Sequence, residues 1–233
     1  AALAAGGAIV AGQYIGCRDV KRACKAGQQL TLSLGILSLA VMAGMYLLVD
    51  FLMHVVFGAI TAEVEGYART YMLIVNASIP FLALYNVGAA LFRVMGNSRV
   101  SMVVALIMNV INVSGNALLL FGFGMGVEGV AIPTLAARVA AAGIILALLC
   151  RQKHAIHFSR GMSFRPDWRM IRNIMSVGIP NGVETSLFQL GKIIMLSLIS
   201  SFGTASIAAN AIGNNIAQYQ ILGGVSVGIA MVT

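Results

Sequence analysis

Three asparagines, Asn109, Asn112 and Asn116, lie inside the apolar stretch VSMVVALIMNVINVSGNALLLFG at residues 100–122. On a helix turning about 100° per residue they share a sector of roughly 60°. An amide in hydrocarbon costs free energy unless a polar group or trapped water satisfies it, so three on one stripe imply a polar surface buried between helices. A neutral amide can ligate Na⁺ through its oxygen but cannot carry a proton at physiological pH. Arg138, Glu184 and Lys192 are charges deep inside apolar segments. Arg138 should pair with an acid or with the asparagines, or reach an aqueous cavity. Glu184 and Lys192, about 12 Å apart along a helix axis and offset by about 80°, need separate partners or a shared wet cavity. Glu184 also lies near a helix start, where the dipole favours a carboxylate. Asn210, Asn214 and Gln218 recur every four residues as a second polar stripe bordered by Asn215. With Asn76, Tyr85 and Asn86 they are placed to line a cavity.

Other chemistries find no support in these residues. Within the apolar segments there is no base–nucleophile pair, carboxylate dyad or HExxH, so no enzyme is expected. His154 and His157 read as solvated loop residues and His54 as interfacial. Cys17, Cys24 and Cys150 show no CxxC or Cys/His metal spacing and should be reduced thiols. No cofactor and no structural metal are expected. The methionines, 13 in all, suit a promiscuous apolar pocket but read first as packing.

The elements that must hold these residues are membrane helices. Hydrophobic residues make up 59% of the chain and charged residues 9%, with a mean hydropathy of +0.92. An ordinary soluble domain carries about 25% charge, which excludes that class. Long apolar runs rather than short alternating segments exclude an outer-membrane barrel. The fold class is therefore an all-α, polytopic membrane helix bundle. Seven apolar segments stand out at 1–16, 30–57, 70–92, 100–122, 128–150, 174–201 and 205–233. Five or six are long enough to span, whereas the first is short. Pro80 should kink the 70–92 segment. Because the chain opens and stops in mid-helix, it is expected to be part of a longer protein.

Loop charge sets the orientation. Of 15 basic residues, 12 fall in alternate loops, at 17–29, 93–99 and 151–172. By the positive-inside rule these loops are cytoplasmic, which places the chain in a cytoplasmic (inner) membrane. Charge that follows topology does not form a nucleic-acid patch, so no nucleic acid is expected. Within FRPDWRMIRNIMSVGIP, Pro166 and Asp167 open an amphipathic pattern anchored by Trp168, Arg169 and Arg172, expected to lie at the interface. Gly178 and Pro180 are then expected to break it and begin the next helix. Pro80 and Pro180 are thus candidate hinges.

AGQYIGCRDVKRACKAGQQ, ALFRVMGNSRVSM and NVINVSGNALLLFGFGMGVEGVAIPTLAARVAA, followed by GIPNGVE and FGTASIAANAI, together resemble the multidrug and toxic compound extrusion (MATE) family. The resemblance covers essentially the whole chain and implies the second to eighth of twelve helices. Residues 1–150 would be part of a first lobe, 151–175 a cytoplasmic linker and 176–233 the start of a second lobe. It implies an antiporter exporting amphipathic or cationic small molecules by alternating access, driven by Na⁺ or H⁺ influx and working as a monomer in the bilayer. Asn112 and Asn116 match the spacing of an archaeal-type first-lobe cation site, and Thr134 matches its threonine. Asn116 stands where that pattern has Asp, which weakens proton coupling there. A bacterial-branch glutamate falls about one turn beyond Glu184, near Phe188 and Gln189. Glu184 is therefore the leading coupling candidate, with Lys192 as its counterpart. The alternatives are a flippase for lipid-linked saccharides, for which Arg138 and Lys192 are the available basic residues, and a structural membrane subunit.

Overall fold

A computed structural model describes residues 2–52, 62–150, 156, 167–200 and 204–231. These form eight α-helices and one π-helical turn. They are α1 (Ala2–Gly16), α2 (Val20–Leu52), α3 (Ala62–Ala77), α4 (Ile79–Val94), α5 (Ser98–Ala117), α6 (Glu128–Leu149), α7 (Trp168–Ser200) and α8 (Thr204–Met231). The π turn, Leu118–Gly122, continues directly from α5, and Phe123 N–H donates to the Leu118 carbonyl at 3.2 Å. No strand occurs among the described residues. This is the all-α membrane bundle expected from composition.

Val20–Asp50, Ser98–Gly122 and Glu128–Leu149 are long and apolar enough to cross a bilayer. Glu65–Ala77 and Ile79–Val94 pass the same test together, as a broken span or a re-entrant pair bent by 41°. Pro80, which has no N–H for the carbonyl four residues back, sits in the first turn of α4. At 15 residues α1 is short, as expected. Among the described residues, three helices, or four with the bent pair, pass on length and composition. With 33 and 28 residues, α7 and α8 also have the length of spanning helices.

Three boundaries differ from the sequence reading. The expected 17–29 loop is only a tight turn, because α2 starts at Val20. Asp19 makes this possible by accepting from Arg22 N–H at 3.1 Å, as a helix N-cap does. Arg18 takes the left-handed position between the two helices, with φ 58°. The second difference is in α7, which runs unbroken through Gly178 and Pro180. Gly178 is there for contact rather than for breaking: a Cβ on Gly6 of α1 would stand 2.8 Å from Gly178 Cα. Thirdly, the interfacial helix expected at 166–175 is the first part of α7 and no separate element. His54, His154, His157 and residues 151–155 and 157–166 of the expected linker lie outside the described residues.

Small residues bring the backbones together. Ala4, Ala8 and Ala11 of α1, Ala23, Ala26 and Leu30 of α2, Val87–Phe92 of α4 and Ile145 and Leu149 of α6 form one buried cluster with Ile174 of α7. A Cβ on Gly7 would overlap Leu30 Cδ1, and one on Gly88 would meet Ile145 at 2.7 Å. Close approach through small residues is how helices associate where no water drives them together. Large apolar side chains point outward instead, as Leu106, Val110 and Val113 do on α5. That is the arrangement a lipid-facing surface requires.

The basic loops meet at one end of the bundle. Lys25 pairs with Asp167, and the buried Ile156 N–H donates to Met95 Sδ at 3.2 Å. At the other end Arg69 pairs with Asp50 at 3.1 Å. Tyr46 OH also donates to the Leu73 carbonyl at 2.8 Å, tying α2 to α3.

Candidate functional site

A Cβ on Gly115 would stand 2.7 Å from Pro133 Cβ, so the absence of a side chain there lets α5 and α6 close together. The flanking Asn112 and Asn116 then reach across to Thr134. Asn116 Nδ2 donates to Asn112 Oδ1 at 3.2 Å, and Asn112 Nδ2 donates to Thr134 Oγ1 at 3.0 Å. Thr134 donates in turn to the Val130 carbonyl at 2.9 Å. At the head of this chain, Asn116 Oδ1 is buried and has no partner. The orphaned acceptor heads a network of two neutral amides and a hydroxyl, none of which titrates near neutral pH. Asn109 is exposed and takes no part in it.

Arg138 is half-buried one turn beyond Thr134 and takes neither an acid nor the asparagines as partner. Its Nη1 donates to Ser78 Oγ, which itself donates to the Val75 carbonyl at 2.5 Å. Ser78 is fully buried at the break between α3 and α4. The break itself supplies the partner, because Ser78 lies between the two helices and its hydroxyl meets Arg138 of α6. Asn76, just before it at the end of α3, is buried with its Nδ2 unpartnered.

A cavity of about 620 Å³ lies between α1, α2 and α4 on one side and α7 on the other. Leu34, Leu37, Val41 and Ala83 form much of its apolar wall, and Gln189 and Ile193 face them from α7. The hydroxyls of Ser38, Thr185 and Ser186 also border it. Each donates 2.8 Å to a carbonyl of its own helix. That leaves the Gln189 amide as the described polar group best able to turn toward a ligand.

Glu184 does not line this cavity. It is exposed on the opposite side of α7, as the helical period places it relative to Thr185 and Gln189. Lys192 sits over the Phe188 ring, 5.0 Å from its centroid, rather than against Glu184. On α8, Asn210 is half-buried and Asn214 and Gln218 are exposed, all away from the α5–α6 network. Of the polar residues singled out from sequence, Asn112, Asn116 and Thr134 are thus brought together, Gln189 borders the cavity and Arg138 serves the helix break. Sequence reasoning missed Ser78 and Gly115. The small residue beside the amide pair was the available signal for Gly115, and the SIP tripeptide for Ser78.

Among the described residues no group of three His, Cys, Asp or Glu could hold a metal ion. At the basic end, the hydrogen bond from Lys25 holds the Asp167 carboxyl below the usual carboxylate range, helped by the Met170 and Arg169 N–H groups.

A family model described as MatE matches residues 1–118. "Probable multidrug resistance protein YoeA" of Bacillus subtilis is 26% identical over 238 residues, covering 98% of this chain and 50% of that protein. "Probable multidrug resistance protein NorM" of Thermotoga maritima is 25% identical over 182 residues, covering 76% and 39%. The chain therefore spans about half the length, or less, of these curated relatives. Among solved structures, the Vibrio cholerae MATE transporter VcmN in its bent form superposes with a TM-score of 0.84 at 21% identity, covering 99% of this chain and 51% of that one. The fold likeness thus extends past the matched segment through α7 and α8. This protein belongs to the MatE family, and its chain is a multi-pass membrane helix bundle.

Proposed function

We propose that the protein exports amphipathic or cationic small molecules by alternating access, coupled to inward Na⁺ or H⁺. The observation that carries this reading is the cavity shared between α1, α2 and α4 and the later helix α7. Residues 1–150 and 176–233 would belong to two lobes that rock about it, joined by the 151–175 linker, with the break near Pro80 and the proline inside the continuous α7, Pro180, as hinges. The basic loops would face the cytoplasm across the inner membrane, and the monomer would be the working unit. Gln189 would orient substrate in the cavity. Asn112, Asn116 and Thr134 would hold Na⁺ through neutral oxygens, while Glu184 on the far side of α7 would form a separate coupling point, with Lys192 held apart from it over Phe188. Asn210, Asn214 and Gln218 would continue the polar surface along α8, and Asn109 and Arg138 would flank the amide pair.

The test is efflux of a fluorescent organic cation from an exporter-deficient host expressing the protein at its natural full length. A Na⁺ gradient and a proton gradient are imposed separately. Asn116→Ala should abolish Na⁺-driven export, and Glu184→Gln should abolish any proton-driven component. Unchanged ion-dependent export in either variant removes that residue from coupling. No export under either gradient overturns the transport reading.

A further inference from the structure

The two halves of the chain are also joined on the basic-loop side of the cavity, starting from Leu3 at the cavity's edge. Gly6 of α1 and Gly178 of α7 approach backbone to backbone, and Leu3 packs over Gly178. Farther toward the basic loops, Asp167 immediately precedes α7 and meets Lys25 of α2, 142 residues away in sequence, at 2.5 Å. Asp167 is engaged in three ways at once. One carboxylate oxygen takes Lys25, the other caps the Arg169 and Met170 N–H groups, and its own N–H donates to Gln29 Oε1 at 3.2 Å. Gln29 is buried on α2, so this backbone bond fixes the start of α7 against the core of the other half.

Distance along α7 gives this contact leverage. From Asp167 to Gly182, where the cavity begins, is 15 residues, or about 22 Å of helix. The contact therefore lies well away from the ligand space, at the end where any opening between the halves must begin. The ion pair is also partly exposed, with side-chain accessibilities of 49% for Lys25 and 30% for Asp167. A pair in that setting is weak enough to break during a cycle, whereas a buried pair would lock the halves together.

We propose that Lys25 and Asp167 form a reversible latch that holds the basic-loop end closed while the cavity is accessible from the opposite side. The proposal rests on the alternating-access reading of the cavity. The latch must open for the cavity to reach the basic-loop side, and neutralising it shifts the protein toward that state. Asp167 has two separable duties. Asparagine caps a helix as well as aspartate does, so Asp167→Asn removes the charge pair and keeps the cap.

The experiment uses the protein at natural full length with Cys17, Cys24 and Cys150 replaced by serine. A reporter cysteine, Thr185→Cys, is labelled with a membrane-impermeant maleimide in right-side-out and inside-out vesicles. Asp167→Asn and Lys25→Gln should each raise labelling from the basic-loop side by about two- to fivefold. In a Lys25→Cys/Asp167→Cys variant without the reporter, a short bis-methanethiosulfonate cross-linker should block efflux, and reductant should restore it. A cross-linked protein that exports at the uncross-linked rate overturns the latch, since the two residues then never separate. Labelling unchanged by both neutral variants overturns it as well. Labelling that shifts in a protein that exports nothing supports the latch and overturns only the transport reading.

Discussion

Replacing Gly115 with alanine should loosen the amide network without touching any of its members. The new Cβ would stand 2.7 Å from Pro133 Cβ and 3.2 Å from its Cγ, whereas ordinary contact begins at 3.4 Å. The proline ring is tied to the α6 backbone and cannot swing aside, so the helices must part locally by about 0.7 Å. The 3.0 Å bond from Asn112 Nδ2 to Thr134 Oγ1 would then stretch to about 3.7 Å, beyond hydrogen-bond range. Overpacking costs about 1–3 kcal/mol, and the helix propensity gained from alanine returns at most about 1 kcal/mol. The net effect is destabilising. Equilibrium unfolding in detergent micelles of four proteins separates strain from bonding. Thr134→Val should cost about 0.6–1.7 kcal/mol in the parent, the range for hydrogen bonds inside membranes, and clearly less in the Gly115→Ala background. Equal costs in the two backgrounds would refute the claim that Gly115 sets the approach on which the network depends.

Ser78→Ala should lower unfolding stability by about 1–3 kcal/mol, because Arg138 then loses its described partner. In an Arg138→Met background the same change should cost less, and equal costs would disconnect the two residues. Arg18→Gly should raise the thermal midpoint, since it relieves about 1 kcal/mol of left-handed strain at φ 58°; an unchanged midpoint counts against that strain. The Asp167 carboxyl titrates below its unfolded range, so its stabilisation is present above the ordinary aspartate pKa and lost as pH falls through the lowered one. The stability difference between the parent and Asp167→Asn should accordingly shrink below about pH 5, and a difference independent of acid pH would show that the ion pair contributes nothing.

The bilayer made much of the fold readable, because it penalises any long segment that is not an apolar helix. The bend beside Pro80 was legible for a similar reason: the missing N–H acts locally, whatever surrounds it. Gly178 was misread because a glycine before a proline looks like a break when α1 is out of view. With Gly6 against it, the same residue is a contact surface. The charges at 18–25 suggested a loop, yet Asp19 caps α2 and carries them into its first turns. Spacing placed Asn112 and Asn116 correctly on one face. It could not show that Asn109 would fall outside the contact with α6, nor that a fold break would furnish the hydroxyl for Arg138. Such partners depend on helix crossings that sequence period does not encode.

The π turn at the end of α5 separates two facings of the chain. A helix that ends in a wider turn has taken up the equivalent of an inserted residue, so the rotation of its last α-helical turn is no longer passed on to the residues beyond. Asn112 and Asn116 are held toward α6, while Phe121 and Phe123 just past them turn outward. The turn thus acts as a swivel joint between the amide pair and the connection to α6. Changes of length or angle in that connection can be absorbed at Leu118–Gly122 before they rotate the two asparagines away from Thr134.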